Sequence, residues 1–401
     1  MKLLVSDEAH IFRLPDNTYW SDAVNGYDFY KRYMEVFDEV RLVGKLKDVD
    51  VLPGKCIRLD GEHLEIFGIP FFQGPVQFAK NFFAIHAALK NVSAGCDVAI
   101  MRMPSVTSMM VLRHLNKSLP LGGEVIYDPY NDVHDENSNF ILRTIWRIIS
   151  WELAKFCKRA NGVSYVTKDA IQEHFPSYAR LHGEDKYHFE THYSSIILKE
   201  NAFVEKSKIY KDIKSLTLVM SDVAMNNERK GERILIQVVR RARDLGYNVT
   251  AIIIGDGSNL PMYKELAKSL GIKDYIKFTG LFPSADEVRE VMKEADMFVF
   301  PTKAEGLPRG VLEAMAIALP VLSTPVGGIP EVLDKKYMFD PLDVEGFTKE
   351  VCRLYDTPEE LTEMSQTNLK RAEEYRNVAL QKKRNMFYKK LILLKNILMY
   401  E

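Results

Sequence analysis

The chain has 401 residues, 46% hydrophobic and 27% charged, ordinary proportions for a globular protein and wrong for a disordered or fibrous one. That length is long for one core, so two domains are expected. With 54 basic and 55 acidic residues the net charge is −1, which argues against a general nucleic-acid binder, because no excess of positive charge exists to release counterions. Cys56, Cys96, Cys157 and Cys352 are scattered, with no CxxC, as expected of small buried side chains in a reducing cytoplasm. Met1-Lys-Leu-Leu-Val5 runs directly into Ser6-Asp7-Glu8, too short an apolar stretch for a signal peptide, and no run of about 18 apolar residues exists to span a membrane.

Leu3-Leu4-Val5 predicts a first strand, and Ser6 to Asn25 a long loop carrying His10, Arg13, Tyr19, Trp20 and Asp22, placed to shape a cleft. A helix begins at Gly26, with Tyr27, Tyr30, Tyr33 and Met34 at packing spacing. Val40–Val43 is the next strand, and the alternation over 56–72 predicts a hairpin or meander. A helix over 76–91 precedes a strand at Asp97–Met101, which ends in Arg102. Glu124–Tyr127 is a further strand running into Asp128 and His134, and residues 139–160 form an amphipathic helix with Trp146 and Trp151. Gly162–Thr167 reads as a strand feeding a helix. His182, His188 and His192 do not share a helix face and have no Cys beside them, so they read as a polar loop and not as a metal cluster. Asp48-x-Asp50 follows no core strand and reads as chance.

Between Lys199 and Lys214 the chain turns charged and loses periodicity, which places the domain boundary: 1–198, then 199–377, with 378–401 returning to the first domain. The second domain follows βαβ order. Leu216–Met220 is a strand, Ser221–Arg229 a turn, and Lys230-Gly231 opens a helix. A lysine at such a helix start is a natural diphosphate partner. Val249–Ile254 is a strand ending in Gly255-Asp-Gly257. Met297–Phe300 is a short buried strand stopped by Pro301. Pro308 suits the start of a helix whose apolar face is Val311, Leu312, Met315, Ala316 and Leu319, and Val321-Leu322 begin another strand. This places Glu305 in the loop at a strand's carboxyl end and Glu313 one to two turns into the helix. Open α/β sheets bind ligands at that end, and a helix N-terminus there attracts phosphate. The two carboxylates suit sugar hydroxyls, each bond contributing about 1.5–3 kcal/mol. The last thirty residues are helical and basic, with Met386, Phe387, Leu391, Leu394, Ile397 and Leu398 interleaved. They are expected to pack on the first domain; a membrane-surface helix is the alternative.

Glu305-x7-Glu313 within E-G-L-P-R-G-V-L-E-A-M-A, followed by Pro325-Val-Gly-Gly-Ile-Pro-Glu331, closely resembles the donor-site signature of family-4 retaining glycosyltransferases. The resemblance is strong over 215–333 and covers the N-terminal half only in layout. It implies an α/β protein with two Rossmann-like domains facing across a cleft (the GT-B fold). It further implies transfer of a hexose from a UDP- or GDP-sugar to a hydroxyl of a glycan or lipid-linked oligosaccharide, without a metal or other cofactor, at the cytoplasmic face of a membrane. Glu305, Gly306, Leu307 and Gly328 would hold the transferred sugar, and Glu313 the ribose. Lys230, with Arg229 and Ser221, would face the diphosphate, and Gly255 and Gly257 the nucleotide. Many relatives have an Arg just after the first strand of this domain where this chain has Ser221-Asp222. Relatives also carry a His near the reacting sugar where this chain has Asp128, with His134 six residues on, so Asp128 ranks first as the reaction-centre partner and His134 second. Arg102 and His134 are candidate acceptor contacts. A sugar phosphorylase on the same scaffold and a non-catalytic recruitment module are the alternative readings.

Overall fold

The structure, a computed structural model, describes residues 1–22, 25–133 and 140–400. It divides into two compact units, residues 1–193 with 381–401, and residues 194–380. In the first unit nine described strands form one sheet. They are β1 (Lys2–Arg13), β2 (Tyr19–Ser21), β3 (Glu39–Asp48), β4 (Ile57–Arg58), β5 (Leu64–Pro70), β6 (Val98–Met103), β7 (Leu121–Val125), β8 (Gly162–Tyr165) and β9 (Phe189–His192). The order β5-β3-β1-β6-β7-β8-β9 is parallel throughout, with β2 antiparallel to β1 and β4 antiparallel to β2. The apolar runs Leu3–Val5 and Val98–Met101 are fully buried, as strands of a parallel sheet are.

Three expectations change here. The stretch after Val5 is not a loop: β1 continues to Arg13, with a register shift between Ser6 and His10. Its acidic residues tolerate the sheet because cations meet them there. Glu8 lies 2.7 Å from Lys45 Nζ and accepts from Ser105 Oγ at 2.7 Å, while Asp7 pairs with Arg102. Burial pushes the Asp7 carboxyl up, but Arg102 and the hydrogen bonds outweigh it and hold it below the usual range. The 56–72 stretch is not a hairpin, since β4 joins β2 and β5 joins β3 in parallel. The histidine-bearing stretch near 190 is a strand, β9, rather than a loop.

Arg102 is also a correction. It is 2% exposed, with Asp7 on one side, Glu124 at 3.4 Å, and its guanidinium 4.5 Å from the Phe29 ring centroid. A cation so enclosed is committed to the interior and offers nothing to an acceptor. Glu124 in turn accepts from Tyr33, Tyr193 and Tyr388 at 2.8, 3.0 and 2.9 Å. Tyr388 belongs to the last helix, Asn377–Tyr400, whose Phe387, Leu391 and Leu394 are buried. That helix spends this apolar face on the protein, as its packing reading expected.

In the second unit β10 (Leu216–Asp222), β11 (Val249–Gly255), β12 (Ile276–Phe278), β13 (Met297–Val299) and β14 (Val321–Leu322) form a parallel sheet in the order β12-β11-β10-β13-β14. The strand order reverses between β10 and β13. Open α/β sheets bind ligands outside the carboxyl ends of the strands at such a reversal.

Candidate active site

The loop leaving β10 ends at Lys230. Gly231 follows with φ +93°, directly before the helix Glu232–Asp244. A Cβ on Gly231 would sit 2.3 Å from the Pro301 carbonyl oxygen, so both the positive φ and the close approach demand glycine. This contact presses the β10 loop onto the loop leaving β13. Lys303 N donates to the Arg229 carbonyl at 2.8 Å, and Thr302 Oγ1 donates to the same oxygen at 3.3 Å. Lys230 Nζ thereby meets Glu305 Oε1 in a direct ion pair, 5.4 Å from the centroid of the Phe300 ring. Thr302 Oγ1 lies 3.3 Å from the same carboxylate oxygen. The side chains of Lys230 and Glu305 are 30% and 12% exposed, so the pair is sheltered yet reachable.

The diglycine does a different job from the one expected. Gly327 has φ +54°, and a Cβ there would lie 2.1 Å from the Glu305 carbonyl oxygen and 2.6 Å from that of Gly306. Gly328 N donates to the Gly306 carbonyl at 2.6 Å. The expectation that the Gly328 amide faces a ligand is therefore corrected: its N–H is spent on bracing the Glu305–Gly306 backbone. Leu307 beside them is buried.

The helix Arg309–Ala316 begins beside the end of β10, where a Cβ on Gly310 would be 3.1 Å from Ser221 Oγ. Glu313 on this helix lies 3.3 Å from Arg289 Nη1, and Arg289 also pairs with Asp286. Burial raises the Glu313 carboxyl, against the opposing pull of Arg289 and Arg309. Arg289 was not foreseen. Its only sequence signal is the Ser284 cap and Asp286-x-x-Arg289 spacing of an ordinary helix start. Gly255 and Gly257, at φ +140° and +156°, leave room for this chain's own backbone: added Cβ atoms would fall 1.7 Å from the Asp222 oxygen and 2.6 Å from the Met225 carbonyl carbon.

In the first unit Asp128 follows β7 and is 3% exposed. It accepts from Tyr130 N at 2.8 Å, and its Oδ2 lies 2.7 Å from His174 Nδ1. His174 stacks on the Tyr130 ring, centroids 3.9 Å apart and planes at 11°. The group this constellation presents is an imidazole backed by a carboxylate, which fixes its ring orientation. Asp128 as a direct reaction-centre contact is corrected accordingly, because its oxygens are taken up by Tyr130 and His174. No linear spacing joins Asp128 to His174, which sits at the end of the helix Ala170–His174. His134 lies outside the described residues.

Residues 217–357 match the family model described as glycosyl transferases group 1. Protein CapJ of Staphylococcus aureus is 23% identical over 399 residues, covering 98% of this chain and 97% of that protein. The putative colanic acid biosynthesis glycosyltransferase WcaL of Escherichia coli (strain K12) is 31% identical over 123 residues, 29% of this chain and 30% of its own length. Among solved structures, Alr3699/HepE of Anabaena in complex with UDP and glucose has a TM-score of 0.66 at 15% identity, covering 95% of this chain and 97% of that one. That is a likeness of fold.

Proposed function

We propose that this chain, which belongs to the glycosyl transferases group 1 and has the GT-B fold, moves a hexose from a nucleotide-diphosphate sugar to a hydroxyl of a glycan or lipid-linked acceptor, with retention of anomeric configuration, in surface polysaccharide synthesis. The observation that carries this reading is the Lys230–Glu305 ion pair at the strand-order reversal. In this reading the cation serves a diphosphate and the carboxylate beside it serves sugar hydroxyls. The complex of HepE with UDP and glucose is in keeping with a nucleotide-sugar donor, and the name of WcaL, a putative colanic acid biosynthesis glycosyltransferase, with a polysaccharide product.

In this reading the donor's diphosphate takes Lys230 from Glu305, and Glu305 turns to the hexose hydroxyls. Glu313, held by Arg289, accepts from the ribose. The bond from the anomeric carbon to the phosphate oxygen breaks as negative charge grows on the leaving diphosphate, which Lys230 stabilises. The sugar passes through an oxocarbenium-like state, the acceptor oxygen bonds to the anomeric carbon, and its proton leaves with the diphosphate. Lysine and helix N-terminus together supply the positive charge, so no metal is required. The test is a thermal-shift screen of nucleotide sugars on the full chain. A true donor at about 100 times its Kd adds about 2.7 kcal/mol of stability. A screen in which no UDP- or GDP-sugar raises the melting temperature overturns the reading, and release of hexose 1-phosphate only when phosphate is added points to a phosphorylase.

No helix among the described residues is long and apolar enough to cross a membrane. The proposed contact with a cytoplasmic membrane face rests on the helix Phe140–Arg159 rather than on the basic tail. Phe140, Ile141, Ile148 and Trp151 are exposed on it, as are Arg147, Lys155 and Lys158. Apolar and basic groups so combined suit anionic lipid. Ile148→Glu with Trp151→Glu is expected to lower co-sedimentation with phosphatidylglycerol-containing vesicles by about 20-fold or more, from lost burial of two large side chains and two added negative charges. Equal binding of variant and wild type would remove this surface from the proposal.

A further inference from the structure

Two carboxyls are buried beneath the loop that carries Lys230. Asp222 ends β10 and Glu232 opens the next helix; they are 7% and 0% exposed. Burial and the neighbouring Asp222 carboxyl together push the Glu232 carboxyl up. Asp222 Oδ1 accepts from Ala224 N at 3.1 Å, and Glu232 Oε2 from Tyr263 Oη at 3.2 Å. Asp222 Oδ2 and Glu232 Oε1 are buried and have no hydrogen-bond partner among the described residues. Two facing carboxylates in such a place repel strongly, whereas one proton between them turns both orphan oxygens into partners.

The surrounding contacts link this pair to the shape of the loop. Met225 N donates to the Asp256 carbonyl and Asn259 N to that of Met225, both at 2.9 Å. Ser258 N donates to Asn226 Oδ1 at 2.9 Å. Tyr263 Oη, which touches Glu232, also lies 3.4 Å from the Asn227 carbonyl. The segment from Asp222 to Lys230 is thus strapped to the glycine turn and the helix after it, with the carboxyl pair at the join.

We infer that one proton shared between Asp222 and Glu232 holds the Lys230 loop in its donor-binding shape, so that nucleotide-sugar binding weakens when alkaline solution removes that proton. The inference rests on the donor reading above and makes both residues positioning residues, since neither reaches the diphosphate except through the loop.

The groups acting on Glu232 most strongly are its own burial and Asp222, which push its carboxyl up to about 8; its backbone N–H and Tyr263 pull the other way. Glu228 is the nearby carboxylate acting on Tyr263, and Arg233 is engaged with Glu228. The sign follows. A carboxyl whose folded pKa is raised contributes stability that is fully present below its unfolded value, near 4.5, and is lost as pH rises through about 8.

Binding of UDP-glucose and GDP-mannose to the full chain between pH 7 and pH 9, with melting temperatures alongside, tests this. Wild-type affinity should fall as pH rises through about 8, by about tenfold between pH 7 and pH 9 if the deprotonated form does not bind. Glu232→Gln replaces the shared proton with an amide N–H and should hold its affinity within about threefold across the range; Asp222→Asn provides the same test if the first variant folds poorly. The wild-type melting temperature should drop toward pH 9 and that of Glu232→Gln should not. The same tenfold loss in both variants overturns the inference. If neither nucleotide sugar binds wild type at pH 7, the donor reading fails and the link to binding fails with it. The melting curves still report separately whether the pair holds a proton.

Discussion

Lys230→Ala is expected to lower kcat/KM for the nucleotide-sugar donor by about 10²- to 10³-fold, the usual loss when one preorganised group facing developing charge is removed. The lysine is paired with Glu305, so the substitution also frees a sheltered carboxylate beside an incoming diphosphate, and repulsion adds to the lost attraction. Because both side chains keep some solvent, the melting temperature should move by only a few degrees. Lys230→Arg retains the charge but replaces a compact ammonium with a planar, bulkier fork, and is expected to keep about a tenth of the rate. Glu305→Gln in the same background gives the decisive comparison. Groups that act as a unit are non-additive, so the double variant should be no slower than the worse single one. The check is steady-state donor turnover, with nucleotide affinity measured separately. Rates within about threefold of wild type in both single variants would remove the pair from the chemistry.

The second large effect comes from a residue packed against the backbone of Glu305. Gly327→Ala should lower kcat about 100-fold while leaving affinity for the free nucleoside diphosphate nearly unchanged. The added carbon would arrive 2.1 Å from the Glu305 carbonyl oxygen, a distance no pair of such atoms sustains, so one of the two loops must shift. A displacement of about 1 Å at a sugar-holding group is enough for a loss of that size. The φ of +54° adds about 1–2 kcal/mol of strain for any residue with a side chain. Gly328→Ala is the matched control, because Gly328 has φ −83°, which alanine adopts freely. A drop in kcat as large in Gly328→Ala as in Gly327→Ala would show that the diglycine acts on the ligand and not on Glu305. Melting temperatures of both variants separate a local shift from general unfolding.

Local patterns already determine much of this protein. The β10–helix and β13–helix units are legible because short apolar runs, helical spacing and proline punctuation are properties of neighbouring residues, and so is the presence of Lys230, Glu305 and Glu313 at strand ends and helix starts. The buried face of the last helix is legible for the same reason, whereas the division between the two units falls at 193/194, ahead of the charged 199–214 stretch. Contacts between distant residues decided the rest. Ser6–Arg13 reads as a polar loop until Lys45 and Arg102 arrive from other strands to neutralise Glu8 and Asp7. The same meeting takes Arg102 out of any binding role. His174 stands behind no motif, yet folding brings it to Asp128 from 46 residues away. Asp222 and Glu232 look like surface charges in a turn, and only the closing of the loop over them makes them share one buried site. Hydrophobic period and turn chemistry act over a few residues and can be read along the chain. The ionisation and exposure of a charged side chain depend on what lies across the sheet from it, and that is settled only when the strands take their order.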